Sequence, residues 1–172
     1  MKNLLLAFAM LLIVSNCNKN DDDQPTNPID QLPPATQTGA NTFGFLANGE
    51  PINVTNTSQQ VAIYQGGILQ IGGGIDNTER DISVSIIMED PININTSYDL
   101  TNFPVHAAKF RKRQGTINCN YAYEDTYQGS MTLTNIDTTN FIVSGTFEFS
   151  TVTDDCENIN ITNGRFDLQY IP

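Results

Sequence analysis

From Asp81 to Met88 the chain alternates: Ile82, Val84, Ile86 and Met88 fall on every second position, with Asp81, Ser83 and Ser85 between them. Side chains of a strand point alternately to its two faces, so this period of two buries one face of a sheet. The same alternation recurs in Phe43 and Phe45, in Val61 and Ile63, in Ile68 to Ile71, in Ile117, Cys119, Tyr121 and Tyr123, and in Met131 and Leu133. Each stripe reads as core. No segment carries an apolar period of 3.6 over about eleven residues, the mark of an amphipathic helix. The chain of 172 residues holds 20 Asn and 19 Thr, which favour turns and strands over helices. Asn48-Gly49 is the strongest hairpin signal and Gly66-Gly67 another. About 9–10 strands with turn signals every 8–12 residues predict an all-β antiparallel sandwich or small barrel over residues 41–172. Pattern alone leaves both open.

The C-terminal hairpin can be read in register. Phe141, Val143, Gly145, Phe147 and Phe149 are odd, as are Ile159 and Ile161, whereas Phe166, Leu168 and Tyr170 are even. The parity slips at Asn163-Gly164. A β-bulge there, with Gly164 accepting φ > 0, keeps an apolar residue on one face throughout. It pairs Thr151 with Ile159, Phe149 with Ile161, Gly145 with Phe166, Val143 with Leu168 and Phe141 with Tyr170. Phe147 then lies opposite both Asn163 and Gly164. The rival reading makes Asn163-Gly164 a tight turn.

The start of the chain has a different character. Lys2 precedes the apolar run Leu4 to Val14. That run is short of the roughly 17–25 residues of a membrane-spanning helix and matches the apolar core of a secretory signal over residues 1–16. Val14-Ser15-Asn16-Cys17 resembles a bacterial lipobox, with Asn in place of the usual small residue before the Cys. The resemblance implies cleavage before Cys17 and lipidation of its thiol. The run Asn18-Lys19-Asn20-Asp21-Asp22-Asp23 resembles the export signal of Bacteroidetes-type surface lipoproteins, which implies an outer-membrane protein anchored through lipid and facing the medium. Residues 17–40, with Pro25, Pro28, Pro33 and Pro34, are too polar to offset their ordering entropy and read as a disordered tether. Fully extended, it would lift the folded part by about 70 Å.

The opening Thr42-Phe43-Gly44-Phe45-Leu46-Ala47-Asn48-Gly49 and the late pair Ser144-Gly145-Thr146-Phe147 and Ile161-Thr162-Asn163-Gly164-Arg165-Phe166-Asp167 resemble an uncharacterised family of such lipoproteins. That likeness implies an all-β domain. It brings no activity and no catalytic residue.

Candidate sites are few. With Cys17 acylated, Cys119 and Cys156 form an even pair in an oxidising compartment and read as one disulfide, with two separate thiols as the alternative. Lys109-Phe110-Arg111-Lys112-Arg113 holds four of the seven Lys and Arg residues that follow the signal. On a strand Lys109, Arg111 and Arg113 point one way, either to contact an anion such as an acidic glycan or to guard a sheet edge. Asp154, Asp155 and Glu157, Glu89-Asp90 and Glu124-Asp125 read as solvated turn acids, without calcium-loop spacing. Gly72-Gly73-Gly74 has no following helix and is no phosphate loop. The only His, His106, is tied to no Cys, so neither a catalytic residue nor a metal or other cofactor is expected. A net charge of −11 repels nucleic acid. These features favour a non-catalytic surface lipoprotein that binds a glycan, another envelope protein or some other extracellular ligand. Tyr64, Tyr98, Tyr121, Tyr123 and Tyr127 are candidates for stacking on sugars. A barrel-type carrier of a small apolar ligand and a small hydrolase with paired carboxylates are the alternatives.

Overall fold

A computed structural model describes residues 27–172. Cys17, the signal and the acidic run lie outside the described residues. Among the latter there are twelve strands and three short 3-10 turns. In chain order the strands are β1 (Thr42–Ala47), β2 (Glu50–Asn53), β3 (Gln60–Gln65), β4 (Ile68–Asp76), β5 (Arg80–Glu89) and β6 (Ser97–Asp99), then β7 (Thr101–Asn102), β8 (His106–Gln114), β9 (Ile117–Tyr121), β10 (Thr126–Asp137), β11 (Ile142–Thr151) and β12 (Ile159–Gln169). Short β6 and β7 lack an apolar stripe, and alternation does not reveal them.

The strands form two antiparallel sheets, β2-β1-β12-β11-β10-β6 and β3-β4-β5-β8-β7, with β9 also paired to β8. Neither sheet closes on itself, so the fold is a sandwich and not a barrel. Its core is the meeting of two alternating faces. Phe43, Phe45, Phe147, Phe149 and Phe166 line the first sheet, and Ile82, Val84, Ile86, Met88 and Phe110 the second. Phe45 meets Phe110 edge-on across the interface at 6.5 Å, and Phe43 lies 5.5 Å from Phe147. Aromatic pairs in such geometries add to the energy of area burial.

Turn chemistry decides which stripe goes inside. Asn48 and Gly49 both take positive φ, 49° and 84°, the two-residue turn whose twist matches flanking strands. Gly66 and Gly67 do likewise, pairing Gln65 with Ile68 and Ala62 with Ile71. Ile71 faces inward, so its partner Ala62 does too, and Val61 and Ile63 are turned outward. Val61 is 45% exposed, and the expectation that it belongs to the core is corrected. Ile117, at the open end of β9, is exposed as well.

The C-terminal hairpin has the pairing derived from parity: Thr151 with Ile159, Phe149 with Ile161, Gly145 with Phe166 and Val143 with Leu168, the shift falling between Phe147 and Phe149. The bulge differs in one detail. Asn163 takes the left-handed conformation, at φ 53°, and not Gly164. Gly164 is needed for space: a Cβ there would lie 2.5 Å from the ring of Phe147. Phe141 lies outside the strand at φ 55°, exposed, with its ring edge-on to Tyr170 at 5.7 Å.

Residues 27–40, expected as the far part of a tether, lie against the first sheet. Leu32 is buried, and Pro33 fills the notch left by Gly44, where a Cβ would sit 2.5 Å from its ring. The decisive partner is Asp167 on β12, whose residue has no exposed surface. Its carboxylate accepts from Thr36 Oγ1 (2.6 Å), Thr38 N (2.9 Å), Thr38 Oγ1 (3.3 Å), Gly39 N (2.8 Å), Ala40 N (3.1 Å) and Ser144 Oγ (2.8 Å). A buried carboxylate must be paired or fully hydrogen-bonded, and this polar segment supplies the bonds. Burial pushes the Asp167 carboxyl up, but the bonds from Thr36, Thr38, Ala40 and Gly39 outweigh it and hold it at about 2. Low hydrophobicity alone therefore misjudges this segment. At the other end of the chain, Tyr64 N donates to Ile171 O and Ile171 N to Ala62 O, both at 2.9 Å, so the C-terminus covers part of the β3 edge.

Candidate binding face

The outer face of the second sheet is the most distinctive surface. Outward positions of β4, β5 and β8 line up across the strands: Gly72 opposite Ser85 opposite Lys109, then Gly74 opposite Ser83 opposite Arg111. Two glycines and two serines make a floor with almost no relief. Gly72 and Gly74 hold it low, because a Cβ would meet the β5 carbonyls of Val84 at 2.8 Å and of Ile82 at 2.5 Å. Over this floor lies an open cleft of about 490 Å³, bounded by Ser58, Gln59 and Val61 on one side and Arg111 on the other. A smaller recess of about 130 Å³ beside it shares Ser83, Ser85 and Arg111 and adds Lys109 and Asn120.

Lys109, Arg111 and Arg113 all point to this face, as expected of alternate strand positions. β8 is not an edge strand, since it lies between β5 and the β7 and β9 pairings, so the edge-guard alternative is overturned. Their surroundings differ. Arg111 binds Asp81, a buried carboxylate on the outward side of β5, yet half of the arginine side chain, 51%, stays exposed. Arg113 is shared between Asp76 at 3.7 Å and Asp81 at 3.8 Å. Lys109 forms no ion pair among the described residues; its Nζ lies 5.0 Å from the ring centroid of Tyr123. Lys112 points the other way and binds Glu157 at 2.7 Å.

The tyrosines separate in the same manner. Tyr121 is buried, and its hydroxyl donates to Glu157 O at 2.6 Å. Tyr64 donates to Asp90 at 2.6 Å; burial and then that carboxylate push its hydroxyl up to about 12. The Tyr98 hydroxyl accepts from Asn93 N at 2.6 Å, and its ring packs on His106 at 4.9 Å. Tyr127 is exposed on β10 in the other sheet. Tyr123 borders this face, with its hydroxyl 3.3 Å from Ser85 Oγ. On its ring lies Phe103, nearly parallel at 9° and 5.4 Å between centroids, and itself 43% exposed. Phe103 sits in a loop without periodicity, and no sequence signal marks it.

Cys119 and Cys156 are bonded, with Cα atoms 6.1 Å apart. Cys156 lies in the β11–β12 connection, which folds over β9 through the Tyr121 and Lys112 bonds to Glu157 and so brings it to the strand face. Three of the turn acids have partners: Asp90 accepts from Tyr64, Glu157 from Lys112, and Asp125 from Ala122 N. Asp76 and Asp81 face each other across β4 and β5. Arg113 Nη2 lies between the two, 3.7 Å from Asp76 and 3.8 Å from Asp81. Among the described residues no three His, Cys, Asp or Glu side chains gather as metal ligands.

Fold and face together define a two-sheet antiparallel β-sandwich with an open cleft over a glycine and serine floor on the outer face of its second sheet. The chain belongs to the family of the domain of unknown function DUF6252, matched over residues 41–168. No curated protein and no solved structure matches it.

Proposed function

We propose that the chain is a lipid-anchored protein of the Bacteroidetes type, held at the outer-membrane surface through Cys17, and that its sandwich is a non-catalytic binding module for an extracellular glycan, protein or other ligand. The observation that carries the binding part is the floor of Gly72, Gly74, Ser83 and Ser85 beside Lys109, Arg111 and Tyr123. An open shelf with converging polar donors suits a ligand that lies across it. The barrel on which the carrier alternative rested is not formed. The anchoring part rests on the lipobox-like Val14-Ser15-Asn16-Cys17. With residues 27–40 docked, only residues 18–26 link Cys17 to the head, a span of at most about 35 Å.

The test is metabolic labelling with palmitate in cells, alongside Cys17→Ser. Label on the parent and none on the variant is expected, together with removal of the parent by protease added to intact cells. Unlabelled parent protein free in the medium would overturn the anchored reading. Capture of a ligand by displayed protein, weakened by Lys109→Glu, supports the binding reading; capture unaffected by exchanges on this face would overturn it.

A further inference from the structure

We infer that the ligand of this face is an anionic saccharide, with its acidic groups on Lys109 and Arg111 and a sugar ring on Phe103; the inference rests on the binding-module reading above. The charge argument comes first. The described residues of this acidic chain hold six Lys and Arg side chains, and three of them stand together on one face of β8. Among the described residues no carboxylate lies within ion-pair distance of Lys109, so its charge is available. Arg111 is held from below by buried Asp81. A guanidinium offers five N–H donors in a rigid fork, and one bond to Asp81 orients it while leaving donors for a carboxylate or sulfate. Arg113, drawn to both Asp76 and Asp81, contributes structure and not affinity.

The second argument is the shape and chemistry of the path. Phe103 lies on Tyr123, the Tyr123 ring sits by Lys109, its hydroxyl approaches Ser85, and the next cross-strand row carries Ser83 and Arg111. Aromatic surface, cation, hydroxyl and guanidinium thus follow one another along a continuous strip. An aromatic face takes the C–H side of a sugar ring, hydroxyls and Asn120 take its oxygens, and cations take its acidic groups.

The experiment is affinity electrophoresis of the full-length chain in detergent against polygalacturonate, chondroitin sulfate and neutral dextran, with polyglutamate as the acidic polypeptide. Retardation by either acidic saccharide is expected, lost at about 0.5 M NaCl, where the Debye length falls below about 5 Å. Lys109→Glu should weaken it at least tenfold, and Phe103→Ala should weaken it at low salt too. Because Arg111→Ala strands buried Asp81, that position is probed by the paired exchange Asp81→Asn with Arg111→Gln, checked for an intact unfolding transition; it should match Lys109→Glu. Binding to dextran that ignores salt and Lys109 would overturn the anionic class and leave the module standing. Polyglutamate retarding the chain while both acidic saccharides fail would assign the face to a protein partner. Failure of every probe, with exchanges on this face leaving ligand capture on cells unchanged, would overturn both.

Discussion

Replacing Asp167 by Asn keeps size and shape and removes one acceptor and the charge. The best the amide can do is leave its oxygen in the place of Oδ2, which receives Thr36, both Thr38 groups and Ala40, and put its NH2 where Oδ1 receives Gly39 N and Ser144 Oγ. The serine hydroxyl can turn and accept instead. The Gly39 N–H cannot, and it faces another donor. One charge-assisted bond is lost, at about 1.5–3 kcal/mol, and the remaining bonds weaken toward neutral strength, so a total of about 2–4 kcal/mol follows. The loss should be local first. Leu32 and Pro33 alone cannot hold the segment, so it should open while the sandwich persists. Hydrogen exchange at the amides of Thr38, Gly39 and Ala40 should accelerate by at least two decades, with the inner amides of β11 and β12 shifted far less. Urea unfolding should lose stability by no more than the figure above. Unchanged protection of those three amides, with a denaturation midpoint equal to that of the parent, would refute the claim that Asp167 docks the segment.

Asp167 also sets a pH dependence. Its folded value of about 2 lies below the ordinary carboxylate range, so its contribution is complete above pH of about 4 and fades as pH falls toward 2. Stability followed from pH 5 to 2 should show that loss in the parent and a shallower one in Asp167→Asn. Gly164→Ala pushes a methyl against the Phe147 ring and should cost about 1–3 kcal/mol by denaturation, with the bulge region of β12 most affected in exchange. Reducing the Cys119–Cys156 bond releases a loop spanning 37 positions and should cost about 4 kcal/mol on the chain-entropy account, read as a lowered unfolding midpoint in reductant.

Much of this molecule is legible in its sequence. Alternation is a property of strand geometry, so Ile82, Val84, Ile86 and Met88 announce a buried face, and the parity slip at Asn163-Gly164 announces a bulge and the pairing on both sides of it. The face shared by Lys109, Arg111 and Arg113 follows from the same period. What alternation cannot say is which of two faces is inward when both carry apolar residues. Pattern places Val61 in the core, and the Gly66-Gly67 turn, by fixing the β3–β4 register, turns it outward. Nor does local composition reveal partners far along the chain. The segment at residues 27–40 is polar because its partner is a buried carboxylate more than 120 positions away, and Phe103 is fixed by stacking on Tyr123, twenty positions on. Local periodicity and turn chemistry are written in neighbouring residues and so are readable in order. Sheet closure, burial of a lone charge and the convergence of a cleft depend on which distant residues meet, and packing alone decides that.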